Sequence, residues 1–391
     1  MGAFAFPYHQ GSQLYLAGQA RALADAGARP SILCYGSGIG DGPHGIQRIS
    51  PPAAFAPRAL GSGLHWGKPV ADAALLTAGL GAARKARRSG QPFDFVLAHN
   101  AEAAAIALAS RRSFRAPLVY VAHTLWRQEL SAYLPSAWKA RAEKLGGRID
   151  RFVARHADGI IALSEETQSA LGTVASGPVA LIPPGLEAGN PPAPEQIAEV
   201  CRDRGLSPAG YDLYSGNLDR YQDLALLDEA ARLGPASSKP LVVASHADPA
   251  ERKESTDPGM QPGGVRRIRV RDFAEMRILI HGASCLVAPR RRVGGFPVKL
   301  LNYMEAGLPI VAVAGAAPGL VDGESAWLME AREGAGGLAR ARAELASNPG
   351  MRDRLGAGAR AHLAARHSWP RLAAQTLDYL ATLGSSGRRR A

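Results

Sequence analysis

The sequence predicts two α/β domains in tandem, each with a doubly wound parallel sheet. Three observations predict it. Short apolar runs alternate with helix-length segments through most of the 391 residues, the pattern of parallel strands joined by crossover helices. A break at residues 188–194, carrying Pro191, Pro192 and Pro194 and no apolar periodicity, separates two such series of similar size. The chain is also long enough for two cores, and at 46% hydrophobic and 20% charged it has the composition of a folded protein.

In the first series, residues 3–6 read as a clipped strand. Residues 13–26 read as a helix, with Leu14, Leu16, Ala20 and Leu23 at helical spacing and Gly27 as its stop. Strands are expected at 30–35, 94–98, 118–122, 159–163 and 179–182. Ser164, followed by Glu165 and Glu166, has the chemistry of a helix N-cap with an acidic first turn. The second series places strands at 213–215, 240–245, 284–288 and 310–313, and helices at 223–233 and 273–282. The expected division is 1–187, a linker at 188–194, 195–370, and a crossing helix with a basic, frayed tail at 371–391. Ligands of such sheets bind at the carboxyl ends of strands.

Gly294-Gly295-Phe296-Pro297-Val298-Lys299 carries the most chemistry. It is a glycine-rich loop entering a short helix that Ala306-Gly307 ends, and an apolar strand follows. First-turn amides of a helix lack intrahelical partners and sit at the positive end of its dipole. Two glycines let a ligand approach the backbone, and Lys299 adds a full charge. The combination suits a diphosphate. Arg290-Arg291-Arg292 lies just before the loop at a strand end, and one or two of its charges are expected to reach the same anion; the alternative is a solvated charge run. Glu305 is expected to be solvated.

Other strand ends carry polar residues. Tyr8-His9-Gln10-Gly11-Ser12-Gln13 lies between the first strand and first helix, with Ser12 as the expected N-cap; the alternative is an ordinary turn. His123 ends one apolar strand and is expected to point into a cleft, with a satisfied structural histidine as the alternative. His99-Asn100-Ala101-Glu102 ends another strand. Gly40-Asp41-Gly42-Pro43-His44-Gly45 matches G-x-G-x-x-G but opens no helix, and reads as a surface loop.

These segments resemble glycosyltransferase family 4, whose fold is called GT-B. The resemblance spans nearly the whole chain: the Gly11 loop, His123 after a strand, Ile182-Pro183-Pro184-Gly185 before the linker, the strand-glycine entry Leu213-Tyr214-Ser215-Gly216, and the donor helix. It implies two Rossmann-like domains facing a central cleft, the first for the acceptor and the second for a nucleotide-diphosphate sugar. It implies a hexosyl or related transfer with retention at the anomeric carbon, no metal and no cofactor beyond the donor itself. Catalytic roles are implied for His123, Arg220 and Lys299. Donor contacts are implied at Gly11, Ser12, Gly216, Asn217, Arg290, Arg291, Arg292, Gly294, Gly295, Phe296, Pro297 and Asn302, and acceptor-side places at His9, His99 and Glu102. The departing phosphate oxygen would itself take the acceptor proton. Two departures stand out. The family's loop Arg and Lys are replaced by Asn217 and Gln222, so the Arg290–Arg292 charges are expected to stand in. The family's two glutamates are replaced by Gly294 and Asn302, the latter still able to bond a ribose hydroxyl.

Those departures keep alternatives open: a catalytically silent scaffold of the same fold, or a nucleotide-sugar epimerase. The net charge is +12, with both halves basic, which suits an anionic partner. Nucleic acid is disfavoured, because aromatics are only 6% and none interrupts the basic run. An anionic membrane surface is the other candidate. Lys139, Arg141, Lys144, Arg148, Arg151 and Arg155 fall at helical spacing near Trp126, Tyr133 and Trp138; solvated helix faces are the alternative. No apolar run reaches the ~20 residues of a membrane span. The start lacks the features of a signal peptide, and the short first strand suggests a longer N-terminus. Cys34, Cys201 and Cys285 lack metal-ligand spacing and read as free thiols. The expected location is the cytoplasm, with the inner membrane face as a peripheral alternative.

Overall fold

The computed structural model describes residues 1–8, 11–56, 67–134, 138–234, 239–246, 264–291 and 294–388. His9 and Arg292 lie outside the described residues, as does the side chain of Arg220. The chain divides into two units: Met1–Gly185 with Gly294–Phe296 and Ser368–Ala391, and Leu186–Val293 with Pro297–His367.

The first unit runs α1 (Gly11–Asp25), β1 (Ser31–Leu33), β2 (Gln47–Ile49), α2 (Lys68–Arg88), β3 (Val96–His99), α3 (Asn100–Ala109), α4 (Arg111–Phe114), β4 (Leu118–Ala122), α5 (Trp126–Tyr133), α6 (Lys139–His156), β5 (Gly159–Ala162), α7 (Glu165–Gly172) and β6 (Val179–Leu181). Strands β3-β4-β5-β6 form a parallel sheet in that order, and β1 and β2 form a separate parallel pair. The expected first strand makes only single bridges, Gly2 to His99 and Ala5 to Tyr35, so the N-terminal segment seats itself between β1 and β3. All five residues of β4, Leu-Val-Tyr-Val-Ala, are buried. A strand covered on both faces needs apolar side chains on both, and this is why the run was legible. Leu118, Tyr120 and Ala122 point into one core with α2, α3 and α6 residues. Val119 and Val121 point into the other, with Tyr15 and Leu372. Ser164 caps α7, its Oγ accepting from the Thr167 N–H at 3.3 Å. Ser12 does not cap α1. The helix already begins at Gly11, which puts Ser12 inside the first turn.

The second unit runs α8 (Pro194–Asp203), β7 (Asp212–Ser215), α9 (Ala225–Leu233), β8 (Leu241–Ser245), β9 (Val265–Arg269), α10 (Phe273–His281), β10 (Cys285–Ala288), α11 (Lys299–Ala306), β11 (Ile310–Val313), β12 (Trp327–Met329), α12 (Gly334–Ser347) and α13 (Pro349–Arg366). Its six parallel strands are ordered β12-β11-β10-β7-β8-β9. Strand β9 was not expected from the sequence. It is an edge strand, Val-Arg-Arg-Ile-Arg, and charge on an edge blunts strand pairing with other chains. Arg267 meets the Asp228 carboxylate at 2.9 Å and Arg266 donates to the Gly205 carbonyl at 2.8 Å.

The boundaries differ from those expected. The units meet at Gly185 and Leu186 rather than after residue 187. Pro194 is the first residue of α8 instead of the last of a linker, as proline's fixed φ allows. The C-terminal helix α14 (Trp369–Arg388) belongs to the first unit, and its helical backbone includes the start of what read as a frayed tail.

Candidate functional site

In the second unit, one polar cluster gathers at the carboxyl end of β7 and the start of α11. The Lys299 Nζ donates to Tyr214 Oη at 2.7 Å and to Gln222 Oε1 at 3.0 Å, and lies 3.9 Å from the centroid of the Tyr214 ring. Two of its three donors are thus committed to neutral acceptors, with the ring face adding a cation–π contact. Gly216 makes the room. A Cβ there would come 3.0 Å from Nζ, and its φ of +132° is one that side-chain-bearing residues rarely adopt. Burial, and then the nearby Arg290, hold the Lys299 ammonium well below its ordinary pKa, with Asp219 pulling the other way.

The cluster is wired beyond Lys299. Gln222 Nε2 donates to Asn217 Oδ1 at 2.8 Å, which fixes the orientation of both amides. Asn217 Nδ2 donates to Asp219 Oδ2 at 2.7 Å and to Tyr221 Oη at 2.9 Å, and Tyr214 Oη donates to the Asn217 carbonyl at 2.6 Å. The Arg290 guanidinium lies 5.4 Å from the Tyr221 ring centroid. Arg291 turns instead to Asp223, its backbone N–H at 2.9 Å and its guanidinium at 3.5 Å. No side chain caps the start of α11. The Leu300 and Leu301 N–H groups donate to the carbonyls of Pro297 and Val298 at 2.9 and 3.0 Å, so the expected set of unpartnered first-turn amides is smaller than the sequence implied. Asn302 is partly exposed one turn on. Glu305 is not solvated: it is buried, ion-paired with Arg277, and 3.0 Å from His281 Nε2. Arg277 also donates to the carbonyls of Gly189 and Asn190, at 3.2 and 2.8 Å.

In the first unit, His99 and His123 end neighbouring strands, as the sequence indicated. Their rings are buried rather than open. His99 Nδ1 and His123 Nε2 lie 3.1 Å apart, and the Tyr15 ring stands edge-on to His123 at a centroid distance of 5.2 Å. Burial pushes the His123 pKa down to about 4, and holds that of His99 well below its ordinary value with His123 adding to the effect. Both rings are neutral at pH 7, one donating and the other accepting. Gly294–Phe296 belong to this unit. Phe296 packs against the core that holds Tyr15, Val119 and Val121. Gly295 has φ +59°, and a Cβ there would meet the His123 carbonyl oxygen at 2.6 Å.

Glu102 stands apart from the histidines. It is ion-paired with Lys68 near the start of α2, and Asp72, one turn on, accepts from Tyr35 Oη. Burial pushes the Glu102 pKa up to about 7, with Lys68 opposing and Asp72 reinforcing. Asp72 and Glu102 line one end of a cavity of about 470 Å³, whose apolar wall includes Ile106, Trp126, Ile149 and Phe152. Along α6, Trp138, Arg141, Leu145, Arg148, Phe152 and Arg155 are all exposed. Their three- and four-residue spacing puts them on one stripe.

Tyr214, Tyr221, Tyr35, Asp72 and Lys68 were missed by sequence reasoning. A tyrosine inside a fully buried strand was the available signal for Tyr214, since a buried hydroxyl needs a partner. The other four carried no local signal. Among the described residues, no three His, Cys, Asp or Glu side chains converge as a metal site, and no helix is long and apolar enough to cross a membrane.

The family described as Glycosyltransferase Family 4 matches residues 9–189, and that described as Glycosyl transferases group 1 matches residues 213–348. No curated protein matches the chain. Among solved structures, the chain is similar to sucrose-phosphate synthase (tll1590) from Thermosynechococcus elongatus, at 18% identity over 96% of this chain and 94% of that one, with a TM-score of 0.73. Anabaena Alr3699/HepE in complex with UDP is similar at 16% identity over 95% and 96%, with a TM-score of 0.70, and its complex with UDP-glucose at 17% over 95% and 96%, with 0.66. A glycosyltransferase from Rickettsia africae ESF-5 follows at 12% over 96% and 97%, with 0.67. At these identities the likeness speaks for the fold.

Proposed function

Because the chain belongs to the family 4 type of GT-B glycosyltransferases and is a nucleotide-sugar-dependent enzyme of that kind, we propose that it transfers a sugar with retention at the anomeric carbon. The donor diphosphate binds in the second unit, and the acceptor in the first. The observation that carries this reading is Lys299, half-buried with its ammonium held by Tyr214 and Gln222 beside Gly216. A lysine so placed among neutral groups is suited to an arriving anion.

As the glycosidic bond breaks, negative charge grows on the departing diphosphate. Lys299 and Arg290 neutralise it, with Arg220 as a further cation and no metal required. The departing phosphate oxygen takes the acceptor proton. Asn302 offers a hydrogen bond to the ribose. A uridine nucleotide is the first donor to try, since Alr3699/HepE was solved with UDP and UDP-glucose.

On the acceptor side, the cavity beside Glu102 suits a molecule with an apolar portion. The α6 stripe supports placing the enzyme at an anionic lipid surface. Trp138, Leu145 and Phe152 are each about half exposed, and the interleaved arginines match the charge of acidic headgroups.

The test is a thermal-shift panel of UDP, GDP, ADP, dTDP and their sugar conjugates, with and without EDTA. At about 100 times its dissociation constant a ligand stabilises by about 2.7 kcal/mol. One nucleotide should shift the wild type equally in both buffers, and Lys299→Ala should lose the shift. If no nucleotide shifts the wild type, the donor assignment fails and the silent-scaffold alternative gains. Flotation with phosphatidylglycerol against phosphatidylcholine vesicles tests the α6 surface, which predicts binding to the first alone.

A further inference from the structure

We propose that Tyr214 and Gln222 are positioning residues for Lys299, and that positions 222 and 299 are alternative carriers of a single cation in the diphosphate site. The proposal rests on the donor reading above and goes beyond it by saying which side chains make the cation and how it is held. The side chains of 222 and 299 come from different elements, 77 residues apart, yet their polar ends meet at 3.0 Å. A lysine built at 222 would bring its ammonium to the locus that Lys299 Nζ occupies. Only one cation fits there, because Gly216 leaves no further space on one side and the Tyr214 ring closes another.

The neutral partners fix where that cation points. Tyr214 Oη accepts from Lys299 and passes its own proton to the Asn217 carbonyl, so its lone pair stays turned toward the ammonium. Gln222 is held by Asn217 with its oxygen toward Lys299. The third ammonium donor is then directed by its two committed neighbours. The charged and titratable groups around Nζ are Asp219 and Tyr221 beside β7, Tyr214 on β7 and Arg290 after β10. No carboxylate is ion-paired to Nζ among the described residues. Burial in this setting lowers the lysine's pKa, and an arriving diphosphate, as an opposite charge, raises it.

The experiment measures UDP affinity by calorimetry for wild type, Lys299→Gln, the exchange Lys299→Gln with Gln222→Lys, and Tyr214→Phe, from pH 6.5 to 9. Wild-type affinity should fall as pH rises, with proton uptake on binding. Lys299→Gln should bind at least tenfold more weakly and lose that pH dependence. The exchange should recover most of the affinity and the proton uptake. Tyr214→Phe keeps the ring but removes an acceptor from the ammonium, so the fall should move to lower pH. A purely structural tyrosine would leave that profile in place. An exchange variant that folds but binds as weakly as Lys299→Gln overturns the proposal, as does an unmoved profile in Tyr214→Phe. If the wild type itself binds no nucleotide, the donor reading has failed instead.

Discussion

Acid should loosen the first unit through the pair His99 and His123, and replacing His123 should remove much of that sensitivity. The two ring nitrogens face each other at 3.1 Å in a buried site. They can share one proton between them, but two facing donors cannot coexist there. Burial holds His123 at about 4, against about 6.5 for an unfolded histidine. A depressed folded pKa contributes stability that is present above the unfolded value and is lost as pH falls toward the folded one. For His123 alone, the loss at pH 4.5 is about 2.5 kcal/mol, taking about 1.4 kcal/mol per pH unit. Glu102 acts with the opposite sign. Held up to about 7, it favours the folded state below that pH and loses the effect as pH rises through it. Wild type alone would therefore show the two partly cancelling, and the difference between wild type and His123→Asn isolates the histidine. Both are best made in a Trp327→Phe background, which removes the tryptophan of the second unit and leaves Trp126, Trp138 and Trp369 of the first unit as described reporters of urea unfolding. The stability gap between them should shrink by about 2.5 kcal/mol from pH 7.5 to pH 4.5. A gap that is the same at both pH values would refute the reasoning, because it would mean that His123 accepts its proton in the folded state as readily as in the unfolded one.

Two further substitutions probe the loop and helix around Lys299. Gly295→Ala combines φ +59° with a Cβ contact of 2.6 Å to the His123 carbonyl oxygen; it should cost the first unit about 1–3 kcal/mol and lower transfer activity, and an unchanged melting temperature with full activity would argue against that placement of the loop. Glu305→Gln leaves Arg277 and His281 without their buried carboxylate; urea unfolding of the second unit should show a loss of about 3 kcal/mol, the low end for breaking a buried pair because Arg277 is partly exposed.

How much of this was legible in one dimension depends on how far each residue's environment follows from its neighbours in sequence. Strands β4 and β11 could be read because both of their faces are covered, so every position had to be apolar. Strand β9 could not, since its arginines satisfy themselves on Asp228 and on backbone carbonyls of other elements. His123 and His99 were placed at strand ends by pattern, but their mutual hydrogen bond joins two strands and their burial depends on Tyr15. Glu305 read as solvated because nothing adjacent suggested that α10 would lay Arg277 and His281 over its face of α11.

Gln222 is the sharpest case. Read alone, Gln222, at a place where the family resemblance implies a lysine, looks like a lost cation, and the Arg290–Arg292 run looked like its replacement. Folded, the glutamine oxygen receives the ammonium of Lys299 across 77 residues of chain, and Arg291 is committed to Asp223. A phosphate responds to where positive charge lies and not to the strand or helix that delivers it. Loss of a charged residue from a motif is therefore evidence of lost binding only after the space it vacated has been searched for a charge arriving from elsewhere. Here the ammonium that occupies that space is the one of Lys299, in the first turn of α11.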